Sequence, residues 1–275
     1  MPKLTEYKNW SYHFIFHYRR RFKATNIIHK IDFEYLQSQE NKGNFDFIEI
    51  KQGGVKMSQN IAVVLSGCGV FDGAEINEVV LTLLHLEKND ASYQCFAPDQ
   101  AQHHVVNHIT GDEMPESRNV LIESARIVRG NIKPLSECVA NDFDALIIPG
   151  GFGVAKNLSD FAFNGTNMTV NSQLLNLAKD FKDAHKPAGY MCIAPALCSH
   201  IYGEGVKATI GTDEDTASAL NAMGAQHCSV QVGDIVIDEQ HKLVTTPAYM
   251  LAENIVQAES GIARLVKAVL DLTIN

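Results

Sequence analysis

The sequence lacks several patterns that would assign it to a class of proteins directly. It contains no apolar run of about 18 residues, which excludes a membrane-spanning helix. Its six cysteines include no CxxC pair, so the spacing typical of a structural zinc site is missing and no metal is expected. Cysteines in a long chain without a secretory signal indicate reduced thiols, and we therefore expect a cytoplasmic protein.

Positive charge is scarce in most of the chain. Residues 57–275 include 13 Lys and Arg and 26 Asp and Glu, whereas residues 1–56 include 10 Lys and Arg and 6 Asp and Glu. Because neutralising phosphates requires clustered Lys and Arg, the acidic part argues against nucleic acid and against an anionic membrane surface as partners. A small uncharged substrate fits this charge better.

Aromatic residues divide the chain at the same place, since half of the 13 Phe, 8 Tyr and 1 Trp lie before residue 57. We predict a domain at 57–275 behind an extension at 1–56 that is either disordered or a mistranslated leader. The codons CAA-GGA-GG for 52–54 would form a ribosome-binding sequence just before the Met57 codon, which supports the leader hypothesis. A mitochondrial transit peptide is disfavoured by acidic residues in the extension, but that alternative stays open.

Buried strands alternate with helices beyond Met57. Apolar runs at Ile61–Ser66 and Asp144–Ile148 end in glycine turns, as expected for strands buried on both faces. Helical spacing predicts helices over about 75–89, 118–128 and 194–202. Thr212 and Asp215, three residues apart, resemble a capping box that opens a further helix. The alternation predicts an α/β domain with a mainly parallel sheet covered on both faces.

Ligands in such folds bind at the carboxyl ends of the strands, and Cys192 lies at one of these ends. It stands between the short strand that ends at Met191 and the helix that follows Ala194, with Pro195 near the first turn. A strand-to-helix turn can hold a nucleophile in an exposed, strained position, and a helix N-terminus favours the thiolate. A buried structural cysteine is the alternative.

Glu75 and Glu78 begin the helix after the first strand. Their spacing places them on one side of its first turn, where the helix dipole favours carboxylates. A solvated acidic first turn would show the same pattern. A carboxylate near apolar surface would have a raised pKa suited to proton transfer, and the core-facing neighbours Ile76 and Val79 favour Glu78 for that role.

A glycine-rich turn follows the end of the predicted strand Asp144–Ile148. The backbone N–H groups of the turn containing Gly150, Gly151 and Gly153 could bind a developing oxyanion beside Cys192, together with the N–H of Ile193. A tight turn between strand and helix requires glycine in any case, so this interpretation needs the geometry to support it.

The glycine-rich turn at 66–73 partly imitates a dinucleotide-binding fingerprint. Its spacing is GxGxxxG rather than GxGxxG, and Asp72, Glu75 and Glu78 would place negative charge against a pyrophosphate. We therefore expect no nucleotide cofactor.

Together these residues resemble the ThiJ/PfpI branch of the class I glutamine-amidotransferase-like superfamily, and within it the glyoxalase-type isoprenoid biosynthesis proteins with an amidotransferase-like domain, described as enhancing lycopene biosynthesis. The resemblance runs nearly continuously from Met57 to the C-terminus. Its motifs are SGCGVFDGAEINE (66–78), CFAPD (95–99), SRNVLIESARI (117–127), IIPGGFGVAKNL (147–158), YMCIAPAL (190–197), TIGTDEDTA (209–217) and TTPAYMLAENI (245–255).

The resemblance implies a flavodoxin-like three-layer sandwich, a homodimer and cofactor-free conversion of glyoxal to glycolate. By position, Cys192 matches the family nucleophile and Glu78 the acidic partner, with Glu75 the other acid of the motif. Ile193 stands where the amidotransferases have histidine, so glutamine or peptide hydrolysis lacks its general base.

Other functions stay open at this point. An oxidisable Cys192 would suit a redox or stress sensor, the family description suggests a regulatory role in isoprenoid biosynthesis, and protein deglycase activity is a further alternative. The roles of Arg118 and Tyr249, which lie in matching motifs, cannot be assigned from the sequence.

Overall fold

The structure, a computed structural model, describes residues 58–274, so the predictions for 1–56 lie outside the described residues. Its β-strands are Asn60–Val64 (β1), Ser92–Ala97 (β2), Ile132–Pro134 (β3), Ala145–Ile148 (β4), Ala188–Met191 (β5), Lys207–Ala208 (β6), Gln226–His227 (β7), Val236–Asp238 (β8) and Leu243–Thr246 (β9). Its α-helices are Ile76–Lys88 (α1), Val120–Ile127 (α2), Phe152–Lys156 (α3), Phe161–Asn164 (α4), Ser172–Asp183 (α5), Cys198–Tyr202 (α6), Glu214–Ala222 (α7) and Ile255–Leu272 (α8).

The central sheet has seven strands in the order β3-β2-β1-β4-β5-β9-β8. All neighbours pair in parallel except β8 and β9, which are antiparallel. This confirms the predicted mainly parallel sheet and the flavodoxin-like α/β fold. The strand order reverses between β1 and β4, and their carboxyl ends there form the position where such folds bind ligands.

The sheet separates two apolar cores. Side chains alternate along β1, so that Ile61 and Val63 pack with α1, α2 and α8 on one face, while Ala62 and Val64 pack with α5 and α6 on the other. Strands buried on both sides carry continuous apolar runs, which is why their sequences lack polar alternation.

Two local predictions differ from the structure. Asp213, rather than Thr212, caps α7, because its extended backbone lets its carboxylate accept the Thr216 N–H at 2.9 Å. The helix predicted over 194–202 divides into a 3₁₀ turn at Ala194–Leu197 and the short helix α6. In the part of the chain that the structure describes, we find no helix long and apolar enough to cross a membrane.

Candidate active site

Cys192 occupies the sharp turn between β5 and the 3₁₀ turn. Its φ of 58° lies in the left-handed region, which costs a non-glycine residue about 1–3 kcal/mol and persists only where the surroundings enforce it. The Cys192 N–H donates to the Thr246 carbonyl of the adjacent strand β9 at 3.1 Å, which holds the turn in place. The predicted strain is therefore present. The predicted exposure is wrong, since only 7% of the residue is accessible.

Glu78 lies in the first turn of α1 and is fully buried. Two backbone N–H groups bind its carboxyl group, Gly150 to Oε2 at 2.7 Å and Tyr249 to Oε1 at 3.2 Å. The side chain also shares a hydrogen bond with the Cys192 thiol. The structure thus brings Glu78 and Cys192 together, with both carboxyl oxygens held by N–H donors.

Burial, followed by the neighbouring Glu75 carboxylate, raises the pKa of Glu78 to about 8. The N–H groups of Gly150 and Tyr249 and the Cys192 side chain act in the opposite direction, but burial dominates. A buried carboxyl group with a pKa this close to neutrality is suited to exchange protons in both directions.

Glu75 serves as the N-cap of α1. Its Oε2 accepts the Glu78 N–H at 2.6 Å, and its own N–H donates to the Gly150 carbonyl at 3.0 Å. Burial also raises the pKa of Glu75. Glu75 therefore positions Glu78 and the Gly150 turn, whereas the hydrogen bond to the thiol belongs to Glu78.

The predicted oxyanion donors divide into two groups. The N–H groups of Gly151 and Ile193 both point at the Cys192 sulfur. The N–H of Gly150 is already used by Glu78, so Gly150 is not free to bind an oxyanion, and that part of the prediction is corrected. Within this turn, the Gly150 N–H binds the Glu78 carboxyl group, and the Gly151 N–H binds the Cys192 sulfur.

Gly150 also has to be a glycine for steric reasons. A Cβ there would overlap the Cys192 Cβ and would lie 2.8 Å from the Glu78 Oε2 and 3.0 Å from the Cys192 Sγ. The absence of a side chain at this position leaves the space in which the two side chains meet.

The prediction that the helix N-terminus favours a thiolate is also corrected. Burial first, and then the Glu78 carboxylate, raise the pKa of Cys192 well above its ordinary value, although the Gly151 and Ile193 N–H groups lower it. A 3₁₀ turn and a five-residue helix follow Cys192, so the dipole available there is small.

Comparison with known proteins places this chain in a family. The chain is 45% identical over 223 residues to the ES1 protein homolog, mitochondrial, of Rattus norvegicus, covering 78% of this chain and 84% of that protein. It is equally similar to the glutamine amidotransferase-like class 1 domain-containing protein 3, mitochondrial, of Homo sapiens, 45% identical over 223 residues and covering 78% of this chain and 83% of that protein. The chain belongs to the ES1 family of glutamine amidotransferase-like proteins. No family model matches it.

Solved structures agree with this assignment. The isoprenoid biosynthesis protein with amidotransferase-like domain from Ehrlichia chaffeensis superposes with a TM-score of 0.73 at 35% identity, covering 78% of this chain and 99% of that one. The Rapid Encystment Protein 24 KDa of Francisella tularensis, 14% identical with a TM-score of 0.52, covers 79% of this chain and 100% of its own and shares the fold. The family resemblance predicted from the motifs is therefore confirmed.

The histidines after Cys192 do not supply this ES1-family chain with a Cys-His pair. His200 bonds to Ser199 Oγ at 3.3 Å, His227 accepts the Ile210 N–H at 3.3 Å, and His241 bonds to Asp238 at 3.0 Å. Each of these three rings is hydrogen-bonded to another residue, and among residues 58–274 the titratable side chain that bonds to the thiol is Glu78.

The glycine-rich turn has its N–H groups bound within the protein. Gly67 donates to Ser124 Oγ at 2.9 Å, Gly69 to the Ala74 carbonyl at 2.9 Å, and Gly73 to the Gly69 carbonyl at 2.7 Å. These amides are not available to a pyrophosphate. Among residues 58–274, no cluster of three His, Cys, Asp or Glu side chains could hold a metal ion.

Arg118 and Tyr249 have different surroundings. Arg118 pairs with Glu116 at 2.8 Å and Glu123 at 3.4 Å beside an open cleft of about 440 Å³, which Ser117 and Ile122 also line. Tyr249 contributes its N–H to Glu78, a contact between residues 171 positions apart. Sequence reasoning placed Tyr249 in a family motif but contained no signal that a backbone group there would bind the acid.

Proposed function

We propose that this protein is a cofactor-independent, glutathione-independent glyoxalase that converts glyoxal to glycolate. The observation that supports this proposal is the buried, hydrogen-bonded pair of Cys192 and Glu78, with the N–H groups of Gly151 and Ile193 directed at the sulfur. A thiol, a carboxyl group that can move protons and two oxyanion donors suffice for an internal oxidation and reduction of a dialdehyde. No cofactor enters the reaction.

The first step is addition of the thiol. Addition requires the ionised form of Glu78, which is the minor form below about pH 8. The Cys192 sulfur forms a bond to one carbonyl carbon of glyoxal, the π electron pair moves to the oxygen, and the thiol proton passes to the Glu78 carboxylate. The N–H groups of Gly151 and Ile193, which face the sulfur, stabilise the oxyanion on the carbon that the sulfur has attacked. Glu78 then gives the proton to that oxygen, which completes a neutral hemithioacetal and restores the carboxylate.

The second step moves a proton between the two carbons. Glu78 removes the proton from the carbon that carries sulfur, which gives an enediolate with its charge on the second oxygen, and then returns that proton to the other carbon. The hydroxyl proton of the first oxygen moves to the second oxygen. The first carbon is oxidised to a thioester while the second is reduced to a hydroxymethyl group. Water then hydrolyses the thioester, so one glyoxal and one water yield one glycolic acid and restore the thiol.

The burial of the pair bears on the alternative functions. A sulfur in a residue only 7% accessible, with its pKa raised by burial, fits a small substrate better than oxidant sensing or removal of adducts from protein side chains. A role in isoprenoid biosynthesis is a second candidate, favoured by the description of the similar Ehrlichia chaffeensis protein.

Glycolate formation from glyoxal by the purified protein tests the proposal. We expect Cys192→Ala to abolish turnover and Glu78→Gln to lower it by at least about 100-fold, the size of contribution that acid–base groups make. Cys228→Ala is the matched control, because Cys228 lies outside the site and is half-buried. Unchanged turnover in Cys192→Ala would overturn the proposal, and wild-type protein that forms no glycolate would favour the isoprenoid-linked alternative.

Assembly and location are further proposals. We expect a homodimer, which sedimentation velocity would test against a monomer. The rat and human relatives carry the word mitochondrial in their names. Cytoplasmic location therefore stays a proposal, and cell fractionation with an antibody to this protein would distinguish the two compartments.

A further inference from the structure

Tyr249 lies where the turn after β9 meets the first turn of α1. It belongs to the 3₁₀ turn Ala248–Met250, whose first residue, Ala248, is fully buried with a φ of 44°. A left-handed backbone at a non-glycine residue costs about 1–3 kcal/mol and persists only where the surrounding structure enforces it. That turn directs the Tyr249 N–H to the Glu78 Oε1.

The phenol of Tyr249 is hydrogen-bonded to the same helix. Its oxygen accepts a hydrogen bond from Asn77 Nδ2 at 3.2 Å, and Asn77 is the residue before Glu78 in α1. Burial, followed by the charges of Glu75 and Glu78, raises the pKa of Tyr249, whereas the hydrogen bond from Asn77 lowers it. Among the described residues, no acceptor binds the Tyr249 hydroxyl proton.

The proposed reaction leaves one requirement unmet. Glyoxal has two oxygens, and the N–H groups of Gly151 and Ile193 face the sulfur and hence the carbonyl that the sulfur attacks. The enediol also accumulates charge on the second oxygen, which needs its own donor. Tyr249, whose N–H binds the Glu78 carboxyl group, carries such a donor in its phenol.

We propose that Tyr249 is a further catalytic residue, whose hydroxyl group donates a hydrogen bond to the oxygen on the carbon that does not carry sulfur. This inference rests on the proposed glyoxalase function and deepens it. It also defines the substrate class as small carbonyl compounds with a second oxygen on the adjacent carbon. Asn77 is a positioning residue, since it acts by orienting the phenol.

The test compares Tyr249→Phe with wild type in glycolate formation and in alkylation of Cys192 by acrylonitrile, a thiol reagent without oxygen. We expect kcat for glyoxal to fall by about 10- to 100-fold, because a donor used in the transition state is removed. We expect the alkylation rate to stay within about twofold, because the backbone N–H to Glu78 remains. Tyr93→Phe, which removes a phenol bonded to Glu87 at the surface, is the control and should change neither rate.

A second variant separates positioning from chemistry. Asn77→Ala should lower kcat by a smaller factor and should have no further effect in the Tyr249→Phe background, since the two residues act through one hydroxyl group. Wild-type turnover in Tyr249→Phe would overturn the inference. So would equal losses of turnover and alkylation, because they would show that Tyr249 only supports Glu78. Wild-type protein that is alkylated but forms no glycolate would instead overturn the proposed function, and the role of Tyr249 with it.

Discussion

Cys192 and Glu78 face each other as two acids in a site that is almost fully buried. Because like charges at short range in low dielectric are costly, the pair is expected to hold at most one negative charge. Two N–H groups face the sulfur and two face the carboxyl group, so either member can carry that charge with hydrogen-bond donors already in place. This preorganisation is what a proton shuttle between thiol and substrate needs.

The raised pKa of Glu78 has a consequence for stability. Unfolded protein releases this proton near the ordinary value of 4.5, whereas the folded protein holds it up to about pH 8. Between these values the native state binds more protons than the unfolded state, so stability falls as pH rises, by up to about 1.4 kcal/mol for each unit of pH. Glu78→Gln should flatten this part of the profile.

Urea unfolding between pH 5 and 8 measures the effect. The raised pKa of Glu75 acts in the same direction, so some slope will remain in the variant. An identical slope in wild type and Glu78→Gln would contradict the account of the buried acid.

At the residue scale, the sequence predicts those features of the site that depend on a local pattern of residues. The strand-to-helix turn at Cys192 and the acid at Glu78 follow from spacing within a few residues. Three other features could not be predicted, because they depend on contacts distant in sequence: the burial of Cys192, the use of the Gly150 N–H by Glu78 and the Tyr249 N–H at Oε1.

At the scale of elements, α8 supports the site through its packing against β9. Gly261 in α8 lies against Thr246, the residue whose carbonyl holds the Cys192 N–H. A Cβ at position 261 would lie 2.6 Å from the Thr246 Oγ1 and 3.0 Å from the Val232 carbonyl. The helix can therefore approach β9 closely only because this residue has no side chain.

Gly261→Ala should destabilise the protein despite the higher helix propensity of alanine. Propensity alone predicts a gain of about 1 kcal/mol, whereas overpacking costs about 1–3 kcal/mol. Thermal unfolding of the wild type and the variant shows whether the substitution raises or lowers the stability. Increased stability would show that α8 can move away from β9 at no cost.

The lengths of elements were predicted less well than their types. Apolar spacing located α1 to within a residue at each end, because Glu75 caps its start and Asn89 ends it. The structure differs from the prediction in the short segment after Cys192 and at the N-cap of α7. Both the 3₁₀ turn and the cap depend on backbone angles, which residue spacing does not specify.

For the whole molecule, the reversal of strand order between β1 and β4 brings distant segments together. Glu78 follows β1, the Gly150 turn follows β4, Cys192 follows β5 and Tyr249 follows β9. All four come from the carboxyl ends of parallel strands, which is why the alternation of strands and helices predicted both the fold and the edge that carries the site. The order of the strands within the sheet is not predicted by this alternation and is seen only in the structure.

Every residue of the proposed site lies in the described part of the chain. We therefore expect a protein that begins at Met57 to retain the kcat/KM for glyoxal and the melting temperature of the 275-residue chain. Side-by-side kinetics and calorimetry of the two proteins test this. A loss of either quantity in the shorter protein would show that residues 1–56 contribute to the domain and would contradict the leader hypothesis.

The central claim is that glyoxal is converted while covalently bound to Cys192. Quenching the wild-type reaction with hydroxylamine during turnover tests it most directly, because hydroxylamine captures a thioester as a hydroxamate. We predict glycolohydroxamate from the wild-type protein and none from Cys192→Ala. Glycolate formation at an undiminished rate in Cys192→Ala, or turnover by wild type without any trapped hydroxamate, would contradict the account.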